Sequence, residues 1–524
     1  MAIFCNSGMG NVKLTCGVRV GMRSVGLWMA ATLAAVAGSF SLGATEAAAA
    51  TCTAGTESDF NGDGIRDVEI ADPEATLNGI THAGLVRVVL GGGKGVSELL
   101  QGGGAEAGDK FGYLLTSADM NQDGCTDLVV GAPYEDVLVG GVNTADAGQI
   151  HIFNGWPTGI GATIESYTQS GIDTGSNASE AGDLFGFALS AGATAGSVPH
   201  LLVGVSGEGG SGLSDIGIVH YRRGAVNRGI GQNSAGVPGE AAANDRFGSS
   251  LTSTDRMFAV GAPGEAVGNQ TFAGNVTLFQ DKQNADLVPT ALAEIDEDQA
   301  PLVSGTAESD DRFGTALDMV AYRPVGATGN HALLAIGTPS ENVATVADAG
   351  AVTVLDVVYE GGVTELNLID RMSPDVEGEP VVSDFFGQRV TLADTSPTAT
   401  STAATMKLAV SVPNHDIGAA EQAGAVQVFP GIGAPGAGDR NLTRGDGLVP
   451  GAAGSREFAG MGLHSNSAVL YLGVPNSKGT DAPRGIVYSL PWTVIDGGAG
   501  TVTTFRPGAD GLPDAGIAFG SSIR

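Results

Sequence analysis

A Phe-Gly pair recurs at Phe111, Phe185, Phe247, Phe313 and Phe386, degenerates to Phe458-Ala459, and returns at Phe519, five residues before the end of the 524-residue chain. The spacings are 74, 62, 66, 73, 72 and 61 residues. Self-similarity at a loose period of this length predicts a repeat architecture, in which each unit buries its apolar face against its neighbours. The fullest unit, Ala107 to Phe153, has four parts: a Phe-Gly pair opening an apolar run, the acidic loop DMNQDGCTD, a strand-like LVVGAP, and the alternating segment AGQIHIF. Apolar-polar alternation over such short runs, with 83 glycines in the chain, favours many short strands over helices.

The first unit is incomplete. It begins at the acidic loop Asp59–Asp67 and continues through VEIADP and AGLVRVVLGG, with no Phe-Gly strand in front. The missing piece stands at the other end, where DAGIAFGSSIR (514–524) is a Phe-Gly strand with nothing behind it. Together the two fragments make one unit, so the chain is expected to close on itself and remove a vulnerable sheet edge. Seven Phe-Gly-like strands match seven partners of Gly-Ala-Pro type, which begin at Ala71, Gly131, Gly204, Gly261, Gly337, Ser411 and Gly473. The prediction is an all-β, seven-bladed β-propeller closed by pairing of the C-terminal strand with the N-terminal blade. In each unit Phe is expected to pack flat between blade faces, and the Pro after the strand to end ladder pairing. TELNLID, from Thr364, is a candidate for an outer strand.

Residues 1–50 read differently from the repeats. Lys13, Arg19 and Arg23 precede an uncharged run that ends in small residues before Thr51, the pattern of a cleaved secretory signal. The basic region is long, and a start at Met22 would make residues 1–21 a mis-assigned beginning. The rival reading is a membrane anchor, since Val25–Ala44 is uncharged over about the 20 residues a bilayer demands. We expect cleavage, leaving residues 51–524 as an exported propeller without membrane insertion.

That portion holds 22 Lys and Arg against 56 Asp and Glu, a net charge of −34. Such a field disfavours nucleic acid and anionic membrane surfaces and favours cations. Cys5 and Cys16 lie in the leader, so Cys52 and Cys125 remain. Two cysteines in an exported chain predict one disulfide; two free thiols is the alternative.

Two loops carry ligand chemistry. Asp59, Asn61, Asp63 and Asp67, and likewise Asp119, Asn121, Asp123 and Asp127, place oxygens at positions 1, 3, 5 and 9 around a glycine that permits the sharp turn. Calcium needs six to eight oxygens, and the position-7 carbonyls of Ile65 and Cys125, with water, would complete the shell. The pattern is that of a calcium-binding hand without its helices. The other five units lack this series.

The ordered set of Phe-Gly, acidic loop and Gly-Ala-Pro motifs, over roughly residues 55 to 524, resembles the FG-GAP repeats of the integrin alpha-chain β-propeller, also found in a glycosylphosphatidylinositol-specific phospholipase D and in many secreted bacterial proteins. The resemblance implies seven blades, calcium loops on one face and ligand contacts on the loops of the other. It carries no activity across, because nothing here corresponds to that phospholipase's separate catalytic domain.

The expected role is therefore extracellular recognition or adhesion toward a protein or glycan. The alternative is a secreted hydrolase or lyase with its site at the mouth of the central channel. Catalytic motifs offer little: Gly204-Val205-Ser206-Gly207-Glu208 lacks the last glycine of a nucleophile elbow, and the seven histidines have no metal spacing. His151 and His220 fall in strand patterns and read as packing. Arg444-Gly445-Asp446 spells an adhesive tripeptide, but a chain this rich in glycine and aspartate produces it by chance.

Overall fold

Each repeat alternates apolar residues on short strands and breaks them with Gly, Pro and Asp, and the outcome is a four-stranded antiparallel sheet repeated seven times. The computed structural model describes Cys52 and residues 57–102, 104–172, 178–192 and 198–524. The signal and alternative start assigned to residues 1–50 lie outside the described residues. Blade 2 is representative: from the axis outward it runs Leu115–Ala118, Asp127–Ala132, Gln149–Trp156 and Gly159–Tyr167. Blades 3 to 7 begin at the innermost strands Phe185–Gly192, Ser250–Ser253, Ala316–Tyr322, Val390–Asp394 and Gly462–Ser465. TELNLID does supply an outer strand, Val363–Ile369 of blade 5. Pro follows the second strand of six blades, as in Pro133 after Ala132 and Pro263 after Ala262, where a residue without an N–H ends the ladder.

Blade 1 draws on both termini. Its order is Ser522–Ile523, Val68–Asp72, Leu85–Leu90, Gly95–Leu99, with Ile523 opposite Ile70 and Ser522 opposite Ala71. Backbone bonds run both ways between Glu69 and Arg524, at 3.1 and 3.0 Å. The buried Arg87 holds the tail further, donating to the Ala515 carbonyl at 3.1 Å and lying over the Phe519 ring. Asp72 accepts from the Ile517 and Ala518 amides. The ring therefore closes as the two partial repeats predict.

The apolar cores lie between blades rather than within them. Phe111 is buried with Val86, Val88 and Leu99 of blade 1 and Leu128, Val130 and Phe153 of blade 2. Phe185, Phe247, Phe313, Phe386 and Phe519 occupy the equivalent place at five further seams. Where these rings meet another ring they do so edge-on: Phe111 with Phe153 at 70° and Phe386 with Phe429 at 83°. The same seams explain the glycines. A Cβ on Gly131 would collide with the carbonyl oxygen of Gly186 in the next blade, and one on Gly148 with that of Phe185.

The seventh unit corrects the sequence reading by one residue. The equivalent of Phe-Gly there is Ala459-Gly460: the Ala459 amide donates to Ala423 as the Phe111 amide donates to Ala83, and Gly460 donates to Gly473 as Gly112 donates to Gly131. Phe458 occupies the preceding left-handed position, at φ 51°, which Lys110 holds at φ 53°. The core of that seam includes the buried Tyr488.

Because Phe519 is fully buried in the closing seam, Phe519→Ala is expected to cost about 3–5 kcal/mol. Removal of Phe519–Arg524 is expected to lower the urea midpoint further still, since it takes away a strand as well as the ring. Denaturation followed by circular dichroism checks both; an unchanged midpoint in the truncated chain would contradict the closure.

Candidate functional site

The two acidic loops lead into the second strands of blades 1 and 2 and adopt the same internal bonding. The Asp63 amide donates to Asp59 at 3.1 Å and to Asn61 at 3.1 Å; the Asp123 amide donates to Asp119 at 3.0 Å and to Asn121 at 2.9 Å. Gly64 and Gly124 donate to the other oxygens of Asp59 and Asp119, and Ile65 and Cys125 to Asp63 and Asp123. The position-9 carboxylates brace each loop against its blade. Asp67 accepts from Phe60 and Gly91, and Asp127 from Met120, Asn121 and Gly155. Burial pushes Asp67 up to about 6 and Asp127 to about 7. In the first loop the Lys94 ammonium pairs with Asp63 at 2.5 Å.

Cys52 and Cys125 form a disulfide, Cα to Cα 5.0 Å, spanning 73 residues. It ties the start of the propeller to both loops: Cys52 packs directly on Gly62 and on Gly124.

A cavity of 1570 Å³ is lined by the innermost strands of all seven blades, which makes it the central channel. At the end where the Phe-Gly segments enter, Arg246, Arg312 and Arg389 line it and Phe272 is exposed nearby. Tyr113 lies beside Phe187 at 5.1 Å and Tyr134 at 5.7 Å, with the Lys110 ammonium over Tyr134. The hairpin Val137–Val139/Val142–Thr144 leaves the same end of blade 2 and exposes Leu138 and Val142. Deeper in, Asp318 is held by Thr391, Leu392 and Met319. His464 stacks on Tyr471 at 4° between planes, and burial holds it well below its usual value. Among the described residues no hydrogen bond or ion pair joins His464 to a carboxylate.

The adhesive tripeptide is structural. Arg444 is 3% exposed, and its side chain donates to Glu457, Asp481, Ser477 and Tyr488. Asp446 caps its own turn by accepting from Leu448 and Val449. His151 is buried against Ser166, 2.9 Å from its Nδ1, and His220 is buried in its strand, both as packing predicts.

A recurring polar cluster at the blade seams is what the sequence reading missed. It joins three positions: the residue two beyond an outer strand, the acid two before the next Phe-Gly, and the residue four after the Gly of Gly-Ala-Pro. Going round, the sets are Gln101/Asp109/Glu135, Gln169/Asp183/Glu208, Gln232/Asp245/Glu265, Glu297/Asp311/Glu341, Arg371/Asp384/His415 and Arg444/Glu457/Ser477. In the first three a Gln amide donates to the Glu, at 2.5 Å for Gln169 to Glu208. In the last two an Arg guanidinium donates to the acid, at 3.2 Å for Arg371 to Asp384. Only the fourth set is carboxylate throughout. The signal was present as Asp-x-Phe-Gly and Gly-x-Pro-x-Glu, each one residue type longer than the motifs first read.

Burial raises the acids in the Gln sets. Asp183 is pushed up to about 7 by desolvation, with the nearby Glu208 adding to it, and Glu208 itself is raised. A folded-state value above the ordinary 3.8 means that the fold prefers the protonated acid. Its stabilisation is complete below about pH 4 and is lost as pH rises toward 7. The melting temperature is thus expected to fall from pH 5 to pH 8. Glu208→Gln should raise it at pH 8 by roughly 1–3 °C and flatten the decline, read by calorimetry at the two pH values.

Residues 111–153 match the family model of the FG-GAP repeat, and this span holds the Phe-Gly pair, acidic loop and Gly-Ala-Pro strand of blade 2. No curated protein matches the chain. Among the described residues no helix is long and apolar enough to cross a membrane. The chain is a seven-bladed β-propeller that carries the FG-GAP repeat.

Proposed function

We propose that the protein is an exported, calcium-bound recognition module that engages a glycan or protein ligand outside the cell at the channel end opposite its acidic loops. The observation that carries this reading is the composition of that mouth. In a chain of net charge −32, Arg246, Arg312 and Arg389 converge on one opening beside the aromatic group Tyr113, Phe187 and Tyr134. Arginine forks suit carboxylate or sulfate groups, and aromatic faces offer flat apolar area beside them. An acidic glycan or an acidic peptide loop combines both needs. The deeper channel favours binding over hydrolysis, since Asp318 is spent on backbone and threonine donors and His464 is stacked and neutral. The disulfide fits an oxidising compartment. Binding to an array of acidic glycans and peptides tests the reading. Arg312→Ala and Phe272→Ala are expected to weaken capture at least tenfold, and ligands indifferent to both would overturn it.

Calcium at the loops rests on their donor chemistry. Asp59, Asn61 and Asp63, and Asp119, Asn121 and Asp123, offer hard oxygens, with the carbonyls of Ile65 and Cys125 completing each set. When bound, the ion would supply positive charge to the converging carboxylates of each loop. Lys94 already competes for the first loop, so the second should be the tighter. Extracellular modules bind at roughly 10⁻⁴–10⁻³ M, so 10 mM calcium is expected to add about 1.4–2.7 kcal/mol per loop. Calorimetry in calcium against EDTA should show the melting temperature fall on chelation; no change and no bound metal would remove the sites.

A further inference from the structure

We propose that Glu297, Asp311 and Glu341 bind a hard divalent cation that clamps blade 4 to blade 5. This site is independent of the acidic loops and lies at the opposite ends of the strands.

Glu297 follows the outer strand of blade 4, Pro289–Ile295, whereas Asp311 precedes the Phe313-Gly314 of blade 5 and Glu341 follows its strand His331–Thr338. One carboxylate oxygen from each lies within 4.8 Å of the others. Glu297 is 2% exposed and Asp311 fully buried, while Glu341 is half-buried and opens a path from solvent. Asp311 accepts from the Glu308 amide through one oxygen. Its other oxygen, with Oε2 of Glu297 and Oε2 of Glu341, is buried without a hydrogen-bond donor. Among the described residues, the charged groups acting most strongly on Glu297 are Glu341, Asp311, Asp296 and Asp298, and those on Glu341 are Asp311, Glu308 and Asp370, all of them acidic.

The other seams show what this arrangement lacks. Where the chain has Glu297, the next two repeats have Arg371 and Arg444, whose guanidinium groups occupy the cluster and donate to the acids. Three other repeats have Gln, whose amide donates instead. Replacing that donor by a third acceptor leaves three carboxylates converging with nothing positive among them. Buried carboxylates demand a counter-charge or a proton. Three oxygens from three separate segments form the partial shell that calcium, magnesium or manganese completes with water and carbonyl groups.

The test counts metal on the full chain, freed of metal and then dialysed against Ca²⁺ or Mn²⁺. Glu297→Arg installs the guanidinium used at the two following seams. It is expected to bind one equivalent less than wild type while melting in EDTA at or above the wild-type temperature. Glu297→Gln, a smaller change, should also lose that equivalent or bind it at least tenfold more weakly. Asp119→Ala removes its own equivalent and leaves this one in place, so failure of the loop reading and failure of this one are separable. An identical metal count in wild type and both Glu297 variants would overturn the proposal. So would a wild type that gains stability on acidification and none on addition of metal, because protons would then be what neutralises the cluster.

Discussion

The constraint on which this structure depends is that no blade can bury both of its faces alone. A four-stranded sheet has two apolar faces here, and each finds its cover only in the neighbouring sheet, as the seam around Phe111 shows with residues of blades 1 and 2 in one core. Seven such seams close only if the last blade meets the first, so the short strand Ser522–Ile523 carries more than its two residues' own contacts. Close approach at the seams then dictates the glycines: Gly131 against Gly186 and Gly148 against Phe185 leave no room for a side chain. The Phe-Gly and Gly-Ala-Pro motifs are two halves of one contact between adjacent blades.

Polar groups follow the same geometry. The turns that enter and leave each blade must cross the seam, and at six of the seven seams one polar side chain from each of three segments meets there. The identity of the first member sets the electrostatics: Gln leaves a pair of protonatable acids, Arg neutralises them, and Glu297 adds to them. One scaffold thus holds three charge states at equivalent places. Arg444 illustrates the cost of reading a tripeptide without its surroundings, since its guanidinium is wholly engaged inside such a cluster.

Much of the architecture was legible because it repeats. Blade number, the closing strand, the Cys52–Cys125 pairing and the outer strand Val363–Ile369 all followed from motif order, cysteine count and alternation. The seventh unit was misread because Phe458 preserves the letter of the motif while Ala459 occupies its buried position, a shift visible only in backbone bonding. The acidic loops were legible because their ligand series is local, within nine residues. The Glu297 cluster was not, because its members lie 14 and 30 residues apart and converge only when two blades pack. The channel mouth was likewise hidden, as Arg246, Arg312 and Arg389 come from three blades.

The shared blade has a consequence for biosynthesis. The axis-side strand of the first sheet is synthesised after all the other strands of the propeller, so blades 2 to 7 can form in order while blade 1 waits for Ser522 and Ile523. Until then the nascent chain holds an unpaired edge at Val68–Asp72, and the ring closes only once that late strand has been made.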